Sequence, residues 1–289
     1  MKFSFAMEKT KLVNGVEIPT VGYGVYKITD QEECKKCVID ALSLGYRHID
    51  TAAVYLNEEA VGLAIKESGI PREEIFITTK IRVQDYGYEN TLRAFETATK
   101  KLGVEYIDLL LLHQAYNDYY GSWRALEELY EAKKVRSIGV SNFYPDRLVD
   151  LCLNCRIKPH VNQVEIHPFF QQQEAIQIGK EYGVHYEAWA PLAESQGIFD
   201  NDVLKAIAEK HHKTVAQICL RWNIQRGVIV IPKSVHKNRM EENISIFDFE
   251  LTKEDMESIS KLDCGHSKFV DHRSQEFINY IYRYKNQNQ

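Results

Sequence analysis

Ile107-Asp-Leu-Leu-Leu-Leu-His113 is apolar at almost every position up to the histidine that ends it. A strand with one face in water shows alternating apolar and polar residues, whereas this run predicts a strand covered on both faces. Strands of that kind occur in parallel sheets whose two faces pack against helices. The segment therefore favours an α/β fold built around a parallel sheet.

Strand-like and helix-like segments alternate on both sides of this run. A helical pattern follows every predicted strand, and eight such β/α units predict a (β/α)8 TIM barrel. An open, doubly wound sheet is the alternative, but no G-x-G-x-x-G sequence opens a helix after the first strand. The other predicted strands are Val21–Tyr26, Tyr46–Thr51, Ile75–Ile81, Val135–Ser141, His160–Ile166, His185–Pro191 and Val228–Pro232.

Both ends of the chain carry additions to the eight units. Asn14-Gly15 between alternating apolar residues is a strong β-hairpin signal, and we expect the hairpin to cap the N-terminal end of the barrel. An extra C-terminal helix is expected near Lys253–Leu262, followed by an irregular tail with a fraying helix from about Asn279. Because no linker interrupts residues 10–263, we expect one domain over residues 1–289.

Composition narrows the class of partner. The chain has 36 Lys and Arg against 41 Asp and Glu, a net charge of −5, which argues against nucleic acid or a membrane surface as partner. No apolar stretch approaches the ~18 residues of a membrane span. The apolar part of residues 1–7 is too short for a secretory leader, so we expect a cytoplasmic protein.

Six cysteines include two C-x-x-C pairs, Cys34/Cys37 and Cys152/Cys155, a spacing that is also found in zinc and dithiol sites. The pairs lie 118 positions apart, on the first and fifth helices of the predicted barrel, and so on roughly opposite sides of it. Neither pair opens a helix directly after a strand, as a dithiol redox motif does. We expect buried, reduced cysteines and no metal site; the remaining two are Cys219 and Cys264.

Four polar residues, Asp50, Tyr55, Lys80 and His113, fall at or just beyond the ends of three predicted strands. Taken singly, each is more often structural than functional. In a parallel barrel, however, the carboxyl ends of the strands meet at one mouth, so the four side chains are expected to converge. A phenol can deliver a proton, a lysine and a carboxylate can lower its pKa, and an imidazole can orient a carbonyl oxygen. We interpret the four as a catalytic site.

Three local stretches in the right order resemble the signatures of the aldo-keto reductase family, over about residues 9–275. They are Gly45–Ala52 with the residues around Tyr55, then Arg136–Phe143, then Ile231–Ser234 with the helix after it. The short segment after Asp263 is similar to the tails of microbial-type members. The resemblance implies a TIM barrel and carbonyl reduction, with Asp50, Tyr55, Lys80 and His113 as the catalytic tetrad.

The chemistry of carbonyl reduction fits those four residue types. The reaction adds a hydride to carbon and a proton to oxygen, and Tyr55 would deliver the proton as general acid. Because the ordinary pKa of tyrosine is ~10, we expect Lys80, held by Asp50, to lower it. His113 would bind the substrate oxygen and orient the carbonyl.

A local anion site is predicted at the start of the helix after the last strand. Lys233, Ser234 and Arg239 place a cation, a hydroxyl and a guanidinium beside a helix N-terminus. A solvated basic helix start is the alternative. The resemblance assigns the site to the adenosine 2′-phosphate, so NADPH/NADP+ is expected. The cofactor-binding residues that it implies are Gly24, Val25, Tyr26, Ser141, Asn142, Gln163, Trp189, Ala190, Leu192, Lys233, Ser234, Val235, Arg239, Glu242 and Asn243.

Some positions depart from the common family pattern. Val25 and Ala190 stand where hydroxyl residues are frequent, and Trp189 stands where a tyrosine usually stacks on the nicotinamide. Gln114 changes one wall of the substrate pocket. The pocket is expected to take small aldehydes and ketones, and its candidate residues are Tyr26, Val54, Ile81, Gln114 and, from the tail, Phe269.

Two other functions remain open from the sequence. The same tetrad could run as an NADP-dependent alcohol or sugar dehydrogenase, because catalysis accelerates both directions. A retired reductase that binds NADPH and regulates a partner protein is the second, although such a protein does not need the tetrad. A small-molecule carbonyl substrate is the expected partner, and monomer is the family's commonest state.

Overall fold

Eight parallel strands form the main sheet of a computed structural model that describes residues 8–283. The expected domain ends at residues 1 and 289, which lie outside that range. Residues 1–7, on which the prediction of a cytoplasmic protein rests, also lie outside it. A separate antiparallel hairpin precedes the sheet. The strands are β1 (Lys9–Lys11) and β2 (Glu17–Pro19) in the hairpin, and β3 (Tyr23–Gly24), β4 (His48–Asp50), β5 (Phe76–Ile81), β6 (Ile107–Leu112), β7 (Val135–Ser141), β8 (Val161–Glu165), β9 (His185–Trp189) and β10 (Ile229–Val230) in the sheet.

The sheet follows chain order from β3 to β10 and then closes on itself. Closure is made by backbone hydrogen bonds between the first and last strands: the Gly22 amide donates to Val230 O at 2.7 Å, and the Val230 amide donates to Thr20 O at 3.0 Å. A side chain at Gly22 would not fit, because its Cβ would lie 2.5 Å from Nδ1 of His48. The predicted TIM barrel is confirmed.

Helices surround the barrel and begin at recognisable caps. Asp30 accepts from the Glu33 amide at the start of the helix Gln31–Ser43, and Thr214 forms a capping box with Gln217 at the start of the helix Val215–Gln225. The helices are α1 (Gln31–Ser43), α2 (Glu58–Ser68), α3 (Tyr88–Leu102), α4 (Tyr119–Glu131), α5 (Pro145–Asn154), α6 (Gln173–Tyr182), α7 (Asp202–His211), α8 (Val215–Gln225), α9 (Lys237–Ile244), α10 (Lys253–Ser260) and α11 (Gln275–Arg283).

Helix α11 corrects the expectation of an irregular tail. The helix begins at Gln275, before the fraying segment expected from about Asn279. Its start is capped by Ser274, whose Oγ accepts from the Phe277 amide at 3.1 Å. Its far end is held to the barrel by Gln84, whose Nε2 donates to Ile281 O at 2.9 Å.

The barrel interior has two halves that differ in polarity. The lower half, at the amino ends of the strands, is apolar and is plugged by the hairpin, whose Leu12 and Ile18 pack against barrel side chains. The upper half, at the carboxyl ends, carries buried polar side chains. The apolar set is Leu12, Ile18, Phe76, Leu109, Leu111, Val161 and Ile229, and the polar set includes Asp50, Thr78, Lys80, Gln163 and Glu187. His48, the first residue of β4, lies between the two sets, because its ring contacts both Phe76 and Thr78.

The six cysteines are free thiols. Four are buried, as expected, but Cys155 is half-buried and Cys264 is exposed. Cys264 departs from the expectation because it lies in the loop that leaves α10, outside any helix face. Over residues 8–283, no helix is both long and apolar enough to cross a membrane.

Candidate active site

Asp50, Lys80 and Tyr55 converge at the mouth of the barrel. Lys80, on β5, donates from Nζ to Oδ1 of Asp50 at 2.6 Å and to Thr51 O at 2.9 Å. Its third contact is the hydroxyl of Tyr55 at 3.4 Å. Lysine has three N–H donors, so each has a partner in this arrangement. The ammonium group is thereby fixed between the carboxylate and the phenol.

Tyr55 lies in a short 3-10 turn, Ala53–Tyr55, that follows β4. The turn is anchored by Asn57, whose Oδ1 accepts from Thr51 Oγ1 at 2.7 Å. The Asn57 amide nitrogen donates to Val25 O at 3.0 Å. These buried bonds tie the turn to the loop after β3, and they hold the phenol at the mouth.

The pKa of Tyr55 differs from the expectation. Burial raises the pKa of the phenol to about 12, and the lowering effect of Lys80 is the smaller cause. Lys80 lowers the pKa of Tyr55 less than burial raises it, because Asp50 balances the positive charge of Lys80 and itself raises the pKa of Tyr55. The expected fall below the ordinary value does not occur in this site, and Tyr55 is protonated at neutral pH.

His113 follows β6 and faces Tyr55, with ring centroids 5.8 Å apart and nearly perpendicular planes. Burial, followed by the charge of Lys80, lowers the pKa of His113 to about 3. The imidazole is therefore neutral at pH 7 and carries one N–H donor. The structure thus brings the four predicted catalytic residues together at one mouth.

Beneath the tetrad lies a buried carboxyl group that the sequence reasoning missed. Gln163 on β8 donates from Nε2 to Oδ2 of Asp50 at 2.7 Å and also to Oε1 of Glu187 on β9. Glu187 is fully buried, and burial, followed by the charge of Asp50, raises its pKa to about 8. The signal was available: Glu187 stands two positions before Trp189, and alternate residues of a strand share a face.

Asn142 connects two of the predicted cofactor-binding residues to the tetrad. Its Nδ2 donates to the backbone oxygen of His113 at 3.1 Å, and its Oδ1 accepts from Trp189 Nε1 at 2.8 Å. Ser141 precedes it and donates to Gln163 O at 2.8 Å. Both hydrogens of the Gln163 amide are donated to Asp50 and Glu187. Its Oε1 is therefore the side-chain atom left to accept a hydrogen bond from the carboxamide of the expected nicotinamide cofactor.

The start of α9 has the donor set expected for a phosphate. Lys233 and Arg239 are exposed, and neither takes part in an ion pair with any residue from 8 to 283. Ser234 Oγ accepts from the His236 amide at 3.0 Å, and within the described part of the chain the N-cap residue His236 makes no side-chain capping bond to α9. Two unpaired cations beside an uncapped helix start fit the anionic end of the expected cofactor.

The other predicted cofactor-binding residues lie around the same rim or just behind it. Gly24 and Val25 are buried at the end of β3, with the Val25 side chain in the core. Glu242 accepts from Thr214 Oγ1 at 2.8 Å, and Asn243 is buried beside it. Tyr26 is exposed, and the half-buried residues are Ala190, Leu192 and Val235.

The expected substrate pocket is only partly assembled from the predicted residues. The Tyr26 ring lies 5.1 Å from the Tyr55 ring, and Val54 is half-buried in the same turn as Tyr55. Gln114 is buried, and its Oε1 has no hydrogen-bond partner among the described residues. Ile81 is only 1% exposed and packs between sheet and helices, because it has the opposite strand parity to Lys80. The assignment of Ile81 to the substrate pocket stays a prediction.

The tail reaches the mouth through contacts that the sequence could not indicate. Glu165, at the end of β8, accepts from the Lys268 amide at 2.9 Å and from the Ser267 hydroxyl. This anchor places the Phe269 ring 5.7 Å from the Trp189 ring.

His272 is a second mouth residue that the sequence reasoning missed. It is buried, its ring centroid lies 6.1 Å from that of Trp189, and burial lowers its pKa to about 4. Its backbone oxygen accepts from the hydroxyl of Tyr116, in the loop after β6. The tail therefore forms one wall of the mouth.

Comparison with known proteins gives a consistent result. The model of the aldo/keto reductase family matches residues 20–263. Glyoxal reductase of Bacillus subtilis (strain 168) is 51% identical over 257 residues, which are 89% of this chain and 93% of that protein.

Solved structures agree with the sequence match. An aldo-keto reductase from a Medee basin deep-sea metagenome superposes with a TM-score of 0.90 at 44% identity, covering 92% of this chain and 98% of that one. A Bombyx mori aldo-keto reductase, solved in complex with NADP, superposes with a TM-score of 0.86 at 35% identity, covering 91% and 95%.

Proposed function

The chain belongs to the aldo/keto reductase family, and on that premise we propose that it reduces aldehydes and ketones with NADPH, using Tyr55 as general acid. The observation that carries the proposal is the fixed arrangement of Lys80 between Asp50 and the Tyr55 hydroxyl. A structural ion pair would not need a phenol at the open end of the barrel. The arrangement supports proton transfer at that point.

Tyr55 and Lys80 divide the acid chemistry between them. With its pKa raised to about 12, Tyr55 holds its proton at neutral pH and is available as a donor. As the proton moves to the substrate oxygen, negative charge develops on the phenol oxygen, 3.4 Å from Nζ of Lys80. Lys80 stabilises that charge without having to move, which is the electrostatic preorganisation that lowers a barrier.

His113 orients the substrate. Because its pKa is lowered to about 3, the ring is neutral and can donate one hydrogen bond to a carbonyl oxygen near Tyr55. A charged imidazolium would compete with Tyr55 as the proton donor. The neutral ring therefore leaves the acid role to the phenol.

NADPH/NADP+ is the cofactor that the residues favour. When bound, it supplies the hydride to the carbonyl carbon. Lys233 and Arg239 would hold its extra phosphate, and Asn142 and Gln163 would meet its carboxamide with the atoms not already used inside the barrel. Support comes from the Bombyx mori relative, which was solved with NADP.

Small carbonyl compounds are the proposed substrates. The mouth is walled by Tyr26, Trp189 and Phe269, whose rings suit compact molecules with an apolar part. A relative that shares half of its residues with this chain is named for glyoxal, so α-dicarbonyls belong at the head of a test panel.

The test is NADPH consumption with α-dicarbonyls, simple aldehydes and keto-sugars, in wild type and Tyr55→Phe. We expect the variant to lose about 10²- to 10⁴-fold in kcat/KM, the range typical of a general acid, while still binding NADPH. Tyr106→Phe is the matched control, since Tyr106 precedes β6 at the opposite end of the barrel and stacks on Arg72. Near-normal turnover in Tyr55→Phe would exclude it as the acid, and NADPH binding without turnover on any substrate would favour a regulatory role.

A further inference from the structure

Glu187 is a buried acid that the proposed reaction does not use. It lies on β9, directly beside Gln163 in the register of the parallel sheet. Its Oε1 accepts from the Gln163 amide, while its Oε2 has no hydrogen-bond partner among the described residues. Burying a charged carboxylate with one oxygen that lacks a hydrogen bond lowers the free energy of unfolding, and the cost is smaller when the group is protonated and neutral.

The Gln163 amide links Glu187 to the tetrad. One of its two hydrogens goes to Glu187 and the other to Oδ2 of Asp50, at 2.7 Å. The second oxygen of Asp50, Oδ1, accepts from Lys80 at 2.6 Å. Each oxygen of Asp50 is therefore held by a different donor, and the orientation of one donor depends on Glu187.

The charges around Glu187 favour its neutral form. The titratable groups that face it are Asp50 and His48 on β4 and Lys80 on β5, while its pairing partner on β10 is the apolar Ile229. Asp50 and Lys80 already balance each other, so a second carboxylate would leave an uncompensated buried charge.

His48 does not supply that compensation. Its Nδ1 lies 3.3 Å from Pro19 O, and its Nε2 lies 4.0 Å from Oε2 of Glu187. Burial lowers the pKa of His48 to about 4, so this ring is also neutral at pH 7.

We propose that Glu187 is a positioning residue for the reduction: acting through the Gln163 amide, it keeps Asp50 aimed at Lys80 beneath Tyr55. This inference rests on the proposed function. Glu187 does not touch the substrate and acts only through Gln163.

Ionisation of Glu187 has a predictable consequence. A negative charge there opposes the field of Lys80 at the Tyr55 oxygen and makes the phenol a weaker acid. Since the pKa of Glu187 is raised to about 8, reduction is expected to slow as pH rises through that value.

Two variants of Glu187 distinguish its function as a hydrogen-bond acceptor from the effect of its charge. Glu187→Gln keeps an acceptor oxygen for Gln163 and stays neutral at every pH, whereas Glu187→Met has a similar length and no such acceptor. We expect Glu187→Gln to match wild-type kcat at pH 6 and to lose the decline between pH 7 and 9. We expect Glu187→Met to lose about tenfold in kcat, the scale of one lost hydrogen bond, with little change in KM.

A matched control is Glu127→Gln. Glu127 is also buried, and it accepts from the Arg156 and Ile157 amides, each at 3.0 Å, on the outer side of the barrel. This variant should lower the free energy of unfolding without changing the pH profile of kcat, as a merely structural acid would.

The outcomes distinguish this proposal from the proposed function. If wild type turns over, Tyr55→Phe does not, and both Glu187 variants follow the wild-type pH profile, the role of Glu187 is refuted while the function stands. Equal losses in Glu187→Gln and Glu187→Met at pH 6 would also refute it, because one of them retains the acceptor. If Tyr55→Phe is active, it is the function that fails.

Discussion

The two halves of the barrel interior are built from the same strands in opposite ways. In the lower half, the side chains of Leu109 and Leu111 of β6 belong to one buried apolar cluster with Leu12 and Ile18 of the hairpin. In the upper half, Lys80 and Asp50 are held by hydrogen bonds and charge. Two positions separate the apolar Leu111, inside β6, from the catalytic candidate His113, which directly follows that strand. Position along the strand therefore decides whether an inward residue serves stability or chemistry.

This difference has an energetic side. Apolar contacts in the lower half are non-directional and tolerate small changes in volume, each at a moderate cost. Buried charges in the upper half are costly if one partner is removed, because the other is left uncompensated. Variants in the two halves should therefore fail in different measurements.

Lys80→Met should give the largest effect, because it lowers both the stability of the upper half and the catalytic rate. It leaves Asp50 as an unpaired buried charge, which typically costs ~3–5 kcal/mol in the free energy of unfolding. It also removes the stabilisation of the Tyr55 oxygen, so kcat/KM should fall by about 10²-fold or more. Urea unfolding and NADPH consumption measure the two losses. A variant that is inactive but unfolds at the same urea concentration as wild type would show that the ion pair contributes to catalysis and not to stability.

Leu109→Ala should lower stability by ~2–5 kcal/mol, the usual cost of a cavity at a buried leucine. Turnover per folded molecule should stay within about twofold of wild type, since Leu109 lies in the lower half, away from the mouth. Urea unfolding gives the first quantity, and kcat measured well below the unfolding midpoint gives the second. A tenfold loss of kcat would instead mean that packing in the lower half controls the geometry of the upper half.

His48, which lies between the two halves, makes the barrel interior sensitive to acid. Its pKa is lowered to about 4 from an ordinary 6.5, so the unfolded chain binds this proton first as pH falls. The stability that the neutral ring contributes is fully present above pH 6.5 and falls below it, by ~2 kcal/mol at pH 5.

The measurement compares wild type with His48→Gln, because Glu187 contributes with the opposite sign. Its raised pKa makes the free energy of unfolding fall as pH rises from 4.5 towards 8. We expect the stability gap between the two proteins to shift in favour of His48→Gln between pH 7 and pH 5. A constant gap would show that His48 takes up its proton in the folded barrel.

Asn14→Ala should give the smallest effect. The Asn14 amide ties the hairpin to the barrel base, donating to Arg136 O at 3.1 Å and to Ser137 Oγ at 3.2 Å. Its removal should cost ~1 kcal/mol in the free energy of unfolding, with kcat unchanged. Any clear change in kcat would indicate that the hairpin influences the mouth from the far end of the barrel.

The sequence alone predicts which polar residues lie at the carboxyl ends of the strands. Asp50, Lys80 and His113 each close an apolar run, and the parallel barrel brings such ends together by geometry alone. Glu187 shares a strand face with Trp189, but its burial and its link to the tetrad depend on Asp50 of β4 and Gln163 of β8, which the sequence alone does not place beside it. Ile81 lies one residue after Lys80 on the same strand, and a shift of one residue on a strand reverses the face of the side chain.

The features of the site that the sequence does not predict depend on contacts between segments that are far apart in the chain. Phe269 is among the residues expected at the pocket, but His272 is not, and the contacts of Glu165 with Ser267 and Lys268 that hold this tail beside the mouth join residues about a hundred positions apart. The pKa of Tyr55 likewise depends on burial and on how far Asp50 cancels Lys80. Neither local propensity nor spacing carries that information.

The three tryptophans of the chain are divided between the core and the mouth. Trp123 and Trp222 are each 1% exposed, whereas Trp189 is half-buried and bonded to Asn142. Intrinsic fluorescence therefore contains one emitter that an arriving ligand or a soluble quencher can reach, set against two that are shielded. The protein carries its own optical reporter of mouth occupancy, and Trp189→Phe identifies its share of the emission without any added label.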